Sequence, residues 1–148
     1  MKNSPHDKAL RARLGPSKFS AQGFMGSDTR TVEEIIAEDR RWMEQVGITV
    51  EKIADDLGEA YRRGREALGG TVDLGDGRTA VYHESMGRVA SPFRGDGVFE
   101  KGEVVVTDTK NGLQLRLTAL GIHLIRRHGF FQGRGSAYRI EPPEAVRV

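Results

Sequence analysis

The residues best suited to chemistry stand near the carboxyl end of this 148-residue chain, in the run TALGIHLIRRHGFFQGRGSAYRI at residues 118–140. It combines two histidines, which can act as general bases, with four arginines, whose guanidinium groups hold phosphates and carboxylates. A functional site is therefore expected here. The catalytic candidates are His123, His128 and Ser136, and the anion-binding candidates are Arg126, Arg127, Gly133, Arg134, Gly135, Ser136 and Arg139.

Within this run, Gly-Arg-Gly-Ser at residues 133–136 can be interpreted in two ways. Glycines at alternating positions allow positive φ and close backbone approach, so the amides could form an anion-binding nest, with Arg134 and Arg139 as further donors. Alternatively, the glycines form a bulged hairpin turn that seats Phe130 and Phe131 in the core. The second interpretation is favoured, because the run is neither a phosphate-binding loop nor a dinucleotide fingerprint.

The histidine spacing argues against a metal site. Side chains five residues apart on a helix point about 140° apart, so His123 and His128 are not expected to chelate one ion as an i, i+4 pair can. One packed and one helix-capping histidine is the plainer interpretation. The chain has no cysteine, which excludes disulfides, thiolate zinc sites and a catalytic thiol. We therefore predict no metal and no cofactor.

Two helices are predicted upstream of the candidate site. Thr31 and Glu34 form a capping box, and apolar residues follow at helical spacing until Gly47. A second helix begins after Thr49 and ends at the glycines 69–70, which gives a helical hairpin over residues 31–69. Residues 47–58 look like the first half of a helix-turn-helix, but the apolar stripe continues beyond them, which favours one ordinary amphipathic helix.

After residue 70 the period of the apolar residues changes from 3.6 to 2, which is typical of strands. Gly-Asp-Gly and Asn-Gly turns indicate two hairpins, and residues 87–102 are expected to form a long loop. Thr118 can cap a short helix that ends at Gly129. The predicted strands cover 71–74, 78–86, 103–107, 113–117 and 138–140, and the short helix covers 119–128.

These elements predict an α+β fold: an N-terminal helical hairpin packed on a mostly antiparallel sheet of four or five strands, with one short C-terminal helix. Residues 1–27 are expected to form a flexible or extended tail, and residues 28–148 a single domain, with the sheet and short helix at 70–148. The expected core residues are Ile35, Trp42, Met43, Ile53, Leu57, Tyr61, Val81, Val105, Leu115, Leu124 and Phe130.

The charges are segregated along the chain. Residues 1–30 carry a net +4, residues 31–109 a net −7, and residues 110–148 a net +5. This pattern indicates either a surface for a polyanion or basic and acidic segments that neutralise each other in the fold, and the second is slightly favoured. We find no apolar run of 18 residues and no signal-like segment, so we expect a cytoplasmic protein that does not span a membrane.

The run from Ile122 to Arg139 resembles a family of small bacterial proteins that end in such a block. Phe24-Met-Gly26, Asp28 and Ile35-Ile36 also look like that family, so the similarity covers most of residues 19–143. This resemblance implies no activity and no site residues.

A second, local resemblance is to the HicA mRNA-interferase toxins, in which a helix leads into Gly-Phe and later Gly-Ser-His, with a catalytic histidine. Gly129-Phe130 and Gly135-Ser136 match in kind. The position of the catalytic histidine is taken by Ala137 in this chain, so the resemblance does not carry nuclease activity over.

The sequence thus favours a non-enzymatic binding module whose basic C-terminal surface contacts an anionic partner, either RNA, DNA or an acidic protein. One alternative is a small hydrolase or ribonuclease with a histidine base and an arginine and glycine-loop phosphate site. Another is a structural or assembly protein. The oligomeric state is left open.

Overall fold

The computed structural model describes residues 23–148, and residues 1–22 of the expected tail lie outside the described residues. The first described segment already belongs to the folded unit, because Met25 is buried and Phe24 packs on a core cluster. The helices are α1 (Val32–Val46), α2 (Val50–Glu66), α3 (Ala119–His128) and α4 (Pro142–Ala145); the strands are β1 (Val72–Gly75), β2 (Arg78–His83), β3 (Arg88–Ala90), β4 (Val98–Glu100), β5 (Glu103–Asp108) and β6 (Leu113–Thr118).

The predicted α+β class is confirmed. The N-terminal helices α1 and α2 form a hairpin whose N-caps are those expected: the side-chain oxygens of Thr31 and Thr49 accept the amide hydrogens three residues on, each at 3.1 Å. Helix α2 runs unbroken through Gly58, so the ordinary-helix interpretation of residues 47–58 is correct and the turn of a helix-turn-helix is absent. The short helix α3 begins after Thr118 and ends before Gly129, also as expected.

Four strands form one antiparallel sheet in the order β1-β2-β5-β6. Two strand predictions were wrong. Residues 87–102 are not one loop, because β3 and β4 pair in a second, two-stranded sheet. Residues 138–140 are not a strand, because the amide of Arg139 bonds back to the carbonyl of Ser136 in a turn, after which the chain enters α4. None of the described helices is long and apolar enough to cross a membrane.

The main core lies between the helices and the four-stranded sheet, and a second cluster lies between α1, α3 and the β3–β4 hairpin. Most expected core residues are buried, and Trp42 and Tyr61 pack against the core while half-buried. Val81 and Val105 were assigned to the wrong face of their strands. The side chains of a strand point alternately to its two faces, so an error of one residue exchanges the buried face and the exposed face. The side chains that face the core are those of the neighbouring even-numbered residues. The inward set is Ala80, Tyr82, Val104 and Val106.

Candidate metal centre

Asp96, His123 and His128 meet where the β3–β4 hairpin lies against α3. Oδ2 of Asp96 is 2.8 Å from Nε2 of His128 and 3.1 Å from Nε2 of His123. One ligand atom from each of the three side chains lies within 4.8 Å of the others. Two imidazole nitrogens and one carboxylate oxygen therefore converge on a single point.

The loop between β3 and β4 presents the carboxylate. It is closed by its own bonds, from the amide of Ser91 to the carbonyl of Gly97 at 3.1 Å and from the hydroxyl of Ser91 to Oδ2 of Asp96 at 2.9 Å. Gly95 and Gly97 have φ of +87° and +88°, values that L side chains rarely adopt. The two glycines on either side of Asp96 let the chain reverse there, so that the carboxylate faces α3.

Two phenylalanines of the hairpin hold the imidazole rings. The ring of Phe93 stacks on His128, with centroids 3.8 Å apart and planes 15° apart. Phe99 contacts the ring of His123 at a centroid distance of 4.8 Å. These aromatic contacts restrict the rotation of both imidazoles and make one wall of the centre apolar.

The protonation of the cluster follows from its hydrogen bonds. Burial alone would raise the pKa of Asp96, but the hydrogen bonds from His128 and Ser91 and the contact with His123 lower it overall. An ionised carboxylate can only accept, so Nε2 of His128 carries the hydrogen in this bond. Nε2 of His123 is buried and has no well-directed hydrogen-bond partner in the described part of the chain, despite its proximity to Asp96.

The expectation that the two histidines diverge was therefore wrong. The angle between two positions on a helix describes where the side chains start, about 140° apart, but each imidazole reaches several ångströms and both turn toward the hairpin. The prediction of no metal site also overlooked Asp96, the third member. Its only sequence signal is an isolated acid between two glycines, in a segment expected to be a plain loop.

The glycine loop is not an open nest, because residues 24–28 cover it. The amide of Gly133 donates to the carbonyl of Phe24 at 2.8 Å, and the amide of Arg134 donates to Oδ2 of Asp28 at 3.0 Å. The amide of Ser136 bonds within the loop. Three amides of the loop, those of Gly133, Arg134 and Ser136, are thus occupied by the protein itself, and Gly135 packs against Ser27.

The candidate arginines do not act together either. The side chain of Arg139 is buried between Asp39 and Glu141, and Arg126 pairs with Asp55 at 2.8 Å. Asp39 and Asp55 belong to the acidic middle of the chain. These two pairs therefore agree with the interpretation that basic and acidic segments neutralise each other in the fold.

The remaining candidates fall into two groups. Arg127 and Arg134 are exposed. Arg134 adds to the lowering of the Glu141 pKa that Arg139 chiefly causes, and Arg127 forms no ion pair among residues 23–148. Ser136 is buried, and its hydroxyl donates to Oε1 of Gln132 at 2.8 Å instead of to a histidine. The two histidines that could have served as its base both contact Asp96.

Comparison of the chain with models of known protein families, with curated proteins and with solved structures gives no match.

Proposed function

We propose that this protein binds one divalent transition-metal ion through Asp96, His123 and His128. The observation that carries the proposal is the convergence of three ligand atoms of the types that zinc and related ions prefer. The cytoplasmic location expected from the sequence remains a prediction.

The ligand atoms must shift before they fit one ion: the carboxylate oxygen moves slightly away from the two nitrogens, and the two nitrogens, which lie within 4.8 Å of each other, come to the same spacing. Bonds of about 2.0–2.1 Å in tetrahedral geometry place ligand atoms about 3.3 Å apart. The carboxylate oxygen is already 2.8 Å from Nε2 of His128, where a hydrogen bond holds it, and 3.1 Å from Nε2 of His123. An entering ion would take the place of the hydrogen between His128 and Asp96, and the neutral imidazole of His128 would then carry its hydrogen on Nδ1.

Nε2 of His123 supports the same proposal. A buried polar nitrogen without a hydrogen-bond partner is unfavourable, and a metal ion would use its lone pair. The hydroxyl of Ser91 supplies the outer hydrogen bond that usually orients a metal-binding carboxylate. Two nitrogen ligands favour zinc, cobalt, nickel or iron over magnesium and calcium, which prefer oxygen.

Three protein ligands leave a position open for water or another small molecule, which is typical of catalytic zinc sites rather than of structural ones. This makes the hydrolase alternative better supported than the anion-binding surface, because three of its loop amides and two of its arginines are already bonded within the protein. His123 and His128 would then serve as ligands and not as a general base.

The experiment is a titration of the chelator-treated full-length protein with Co²⁺, followed by visible absorption, and with Zn²⁺, followed by calorimetry. We expect one ion per chain and tetrahedral cobalt bands. Asp96→Asn, His123→Gln and His128→Gln should each weaken metal binding by more than about 100-fold. This exceeds the loss expected when only a hydrogen bond to a metal ligand is removed.

His83→Gln is the matched control, because His83 is an exposed histidine on β2 outside the cluster. It should bind the metal as the parent does. Equal metal affinity of the parent and the three ligand variants, or an equal loss in His83→Gln, would contradict the proposal. Circular dichroism of each variant separates lost binding from lost folding.

A further inference from the structure

We propose that the open position of this centre takes a phosphate group, held by the metal on one side and by Arg94 and Arg127 on the other. The inference rests on the proposed metal site and adds the chemical class of its ligand. The observation behind it is that Arg94 and Arg127, which form no ion pair within residues 23–148, lie close in sequence to the three metal-ligating residues.

The charge of the loaded centre favours an anion. A divalent ion bound by one carboxylate and two neutral imidazoles leaves a net charge of +1. Phe93 and Phe99 make part of the surroundings apolar, which strengthens the attraction for an anionic oxygen. The ion alone would accept any small oxyanion, so selectivity must come from other groups.

Arg127 is well placed to supply it. It lies four residues after His123 on α3, and residues at this spacing are neighbours on one helix face, with Cβ atoms about 6 Å apart. It also directly precedes His128. Arg127 is exposed and has no acidic partner in the described part of the chain, whereas Arg126 pairs with Asp55.

Arg94 lies two residues before Asp96 on the loop that presents the carboxylate, and it too is exposed and unpaired within residues 23–148. A third guanidinium is close by, since Nη2 of Arg40 would be 3.8 Å from a Cβ placed on Gly129, the residue after His128. Arg94 and Arg127 are thus near neighbours in sequence of the metal-ligating residues, and Arg40 of α1 lies near the residue that follows His128.

A phosphate fits this arrangement better than a carboxylate does. One of its oxygens can bind the ion while others remain for two planar guanidinium forks. A carboxylate has two oxygens, so binding the ion through one leaves a single acceptor for both arginines.

The test uses the full-length Co²⁺-loaded protein titrated with inorganic phosphate, with acetate as the carboxylate arm, while the cobalt spectrum is recorded. Phosphate should change the cobalt bands and bind more tightly than acetate. Arg94→Gln/Arg127→Gln should weaken phosphate binding by roughly tenfold or more while cobalt binding is retained, because charge-assisted hydrogen bonds are lost. Arg126→Gln is the matched control and should bind phosphate as the parent does.

The outcomes separate the two proposals. If cobalt binds at the three ligands but phosphate leaves its spectrum unchanged, or the double variant binds phosphate as the parent does, only the phosphate inference is overturned. Tighter binding of acetate than of phosphate also overturns it. If cobalt does not bind at these ligands, the metal centre and the phosphate inference fail together.

Discussion

Arg139 and Asp39 lie 100 positions apart in the chain and form a two-bond ion pair, with N–O distances of 2.9 and 3.0 Å. Their side chains are only 5% and 9% exposed. Burial alone would lower the pKa of Arg139, but the hydrogen bonds to Asp39 and Glu141 raise it overall. The pair joins the C-terminal segment to α1, and it places within the protein an arginine that the sequence assigned to an anion site.

Removing one member of this pair should destabilise the fold strongly. Asp39→Asn leaves the buried guanidinium without its main counter-charge, and we expect a loss of about 3–5 kcal/mol in the free energy of unfolding. Glu141→Gln is the matched control, since Glu141 contacts the same guanidinium but is 46% exposed, and the expected loss is below about 1 kcal/mol. Urea denaturation measures both, and equal losses would contradict this account.

Gly64 should not tolerate a side chain. It lies where α2 crosses the sheet, and a Cβ there would be 2.7 Å from Cγ1 of Val104. Gly64→Ala is expected to destabilise the protein by about 1–3 kcal/mol through overpacking, although alanine favours helix. Gly58→Ala, on the same helix, meets nothing closer than Arg126 Nη2 at 3.8 Å and should be neutral or stabilising. The melting temperature should therefore fall in Gly64→Ala and stay the same or rise in Gly58→Ala.

Asp28 should make stability sensitive to acid. The hydrogen bonds from Arg30 lower its pKa below the ordinary 3.8; burial opposes this, and the amide of Arg134 adds to the lowering. A lowered folded-state pKa contributes stability above the unfolded value, which is lost as the pH falls from about 4 toward the folded value. The melting temperature of the parent should fall over this range, and that of Asp28→Asn should fall less steeply.

Asp76→Asn is the control for this experiment, because the Asp76 side chain is 82% exposed. It should keep the acid dependence of the parent. If the melting temperature of Asp28→Asn falls with pH as steeply as that of the parent, the acid sensitivity comes from other carboxylates.

Ser91 should act on metal binding only through Asp96. Its hydroxyl donates to Oδ2 of Asp96 and accepts the amide hydrogen of Phe93, so Ser91→Ala loosens the loop that presents the carboxylate. We expect a loss of metal affinity of about 10–100-fold with the 1:1 stoichiometry retained. Ser85→Ala, at an exposed serine just before β3, should leave the affinity unchanged. Calorimetry with Zn²⁺ decides between these outcomes.

Local signals in the sequence were sufficient for much of the fold. The caps at Thr31, Thr49 and Thr118 were predicted correctly because a hydroxyl and an amide three residues on are close in any helix start. The antiparallel hairpins followed from their turn residues. The sequence did not indicate which face of β2 and β5 is buried, because each strand carries apolar residues on both faces. Packing against α2 decides which of the two faces is buried.

The candidate site shows the same division. Residue types alone marked His123 and His128 as the groups able to do chemistry, since few side chains can bind a metal or move a proton near neutral pH. Their common partner Asp96, the covering of the glycine loop by residues 24–28 and the pairing of Arg139 with Asp39 all join segments distant in sequence. Only tertiary packing decides such contacts, because they depend on which surfaces exclude water together and not on spacing along the chain.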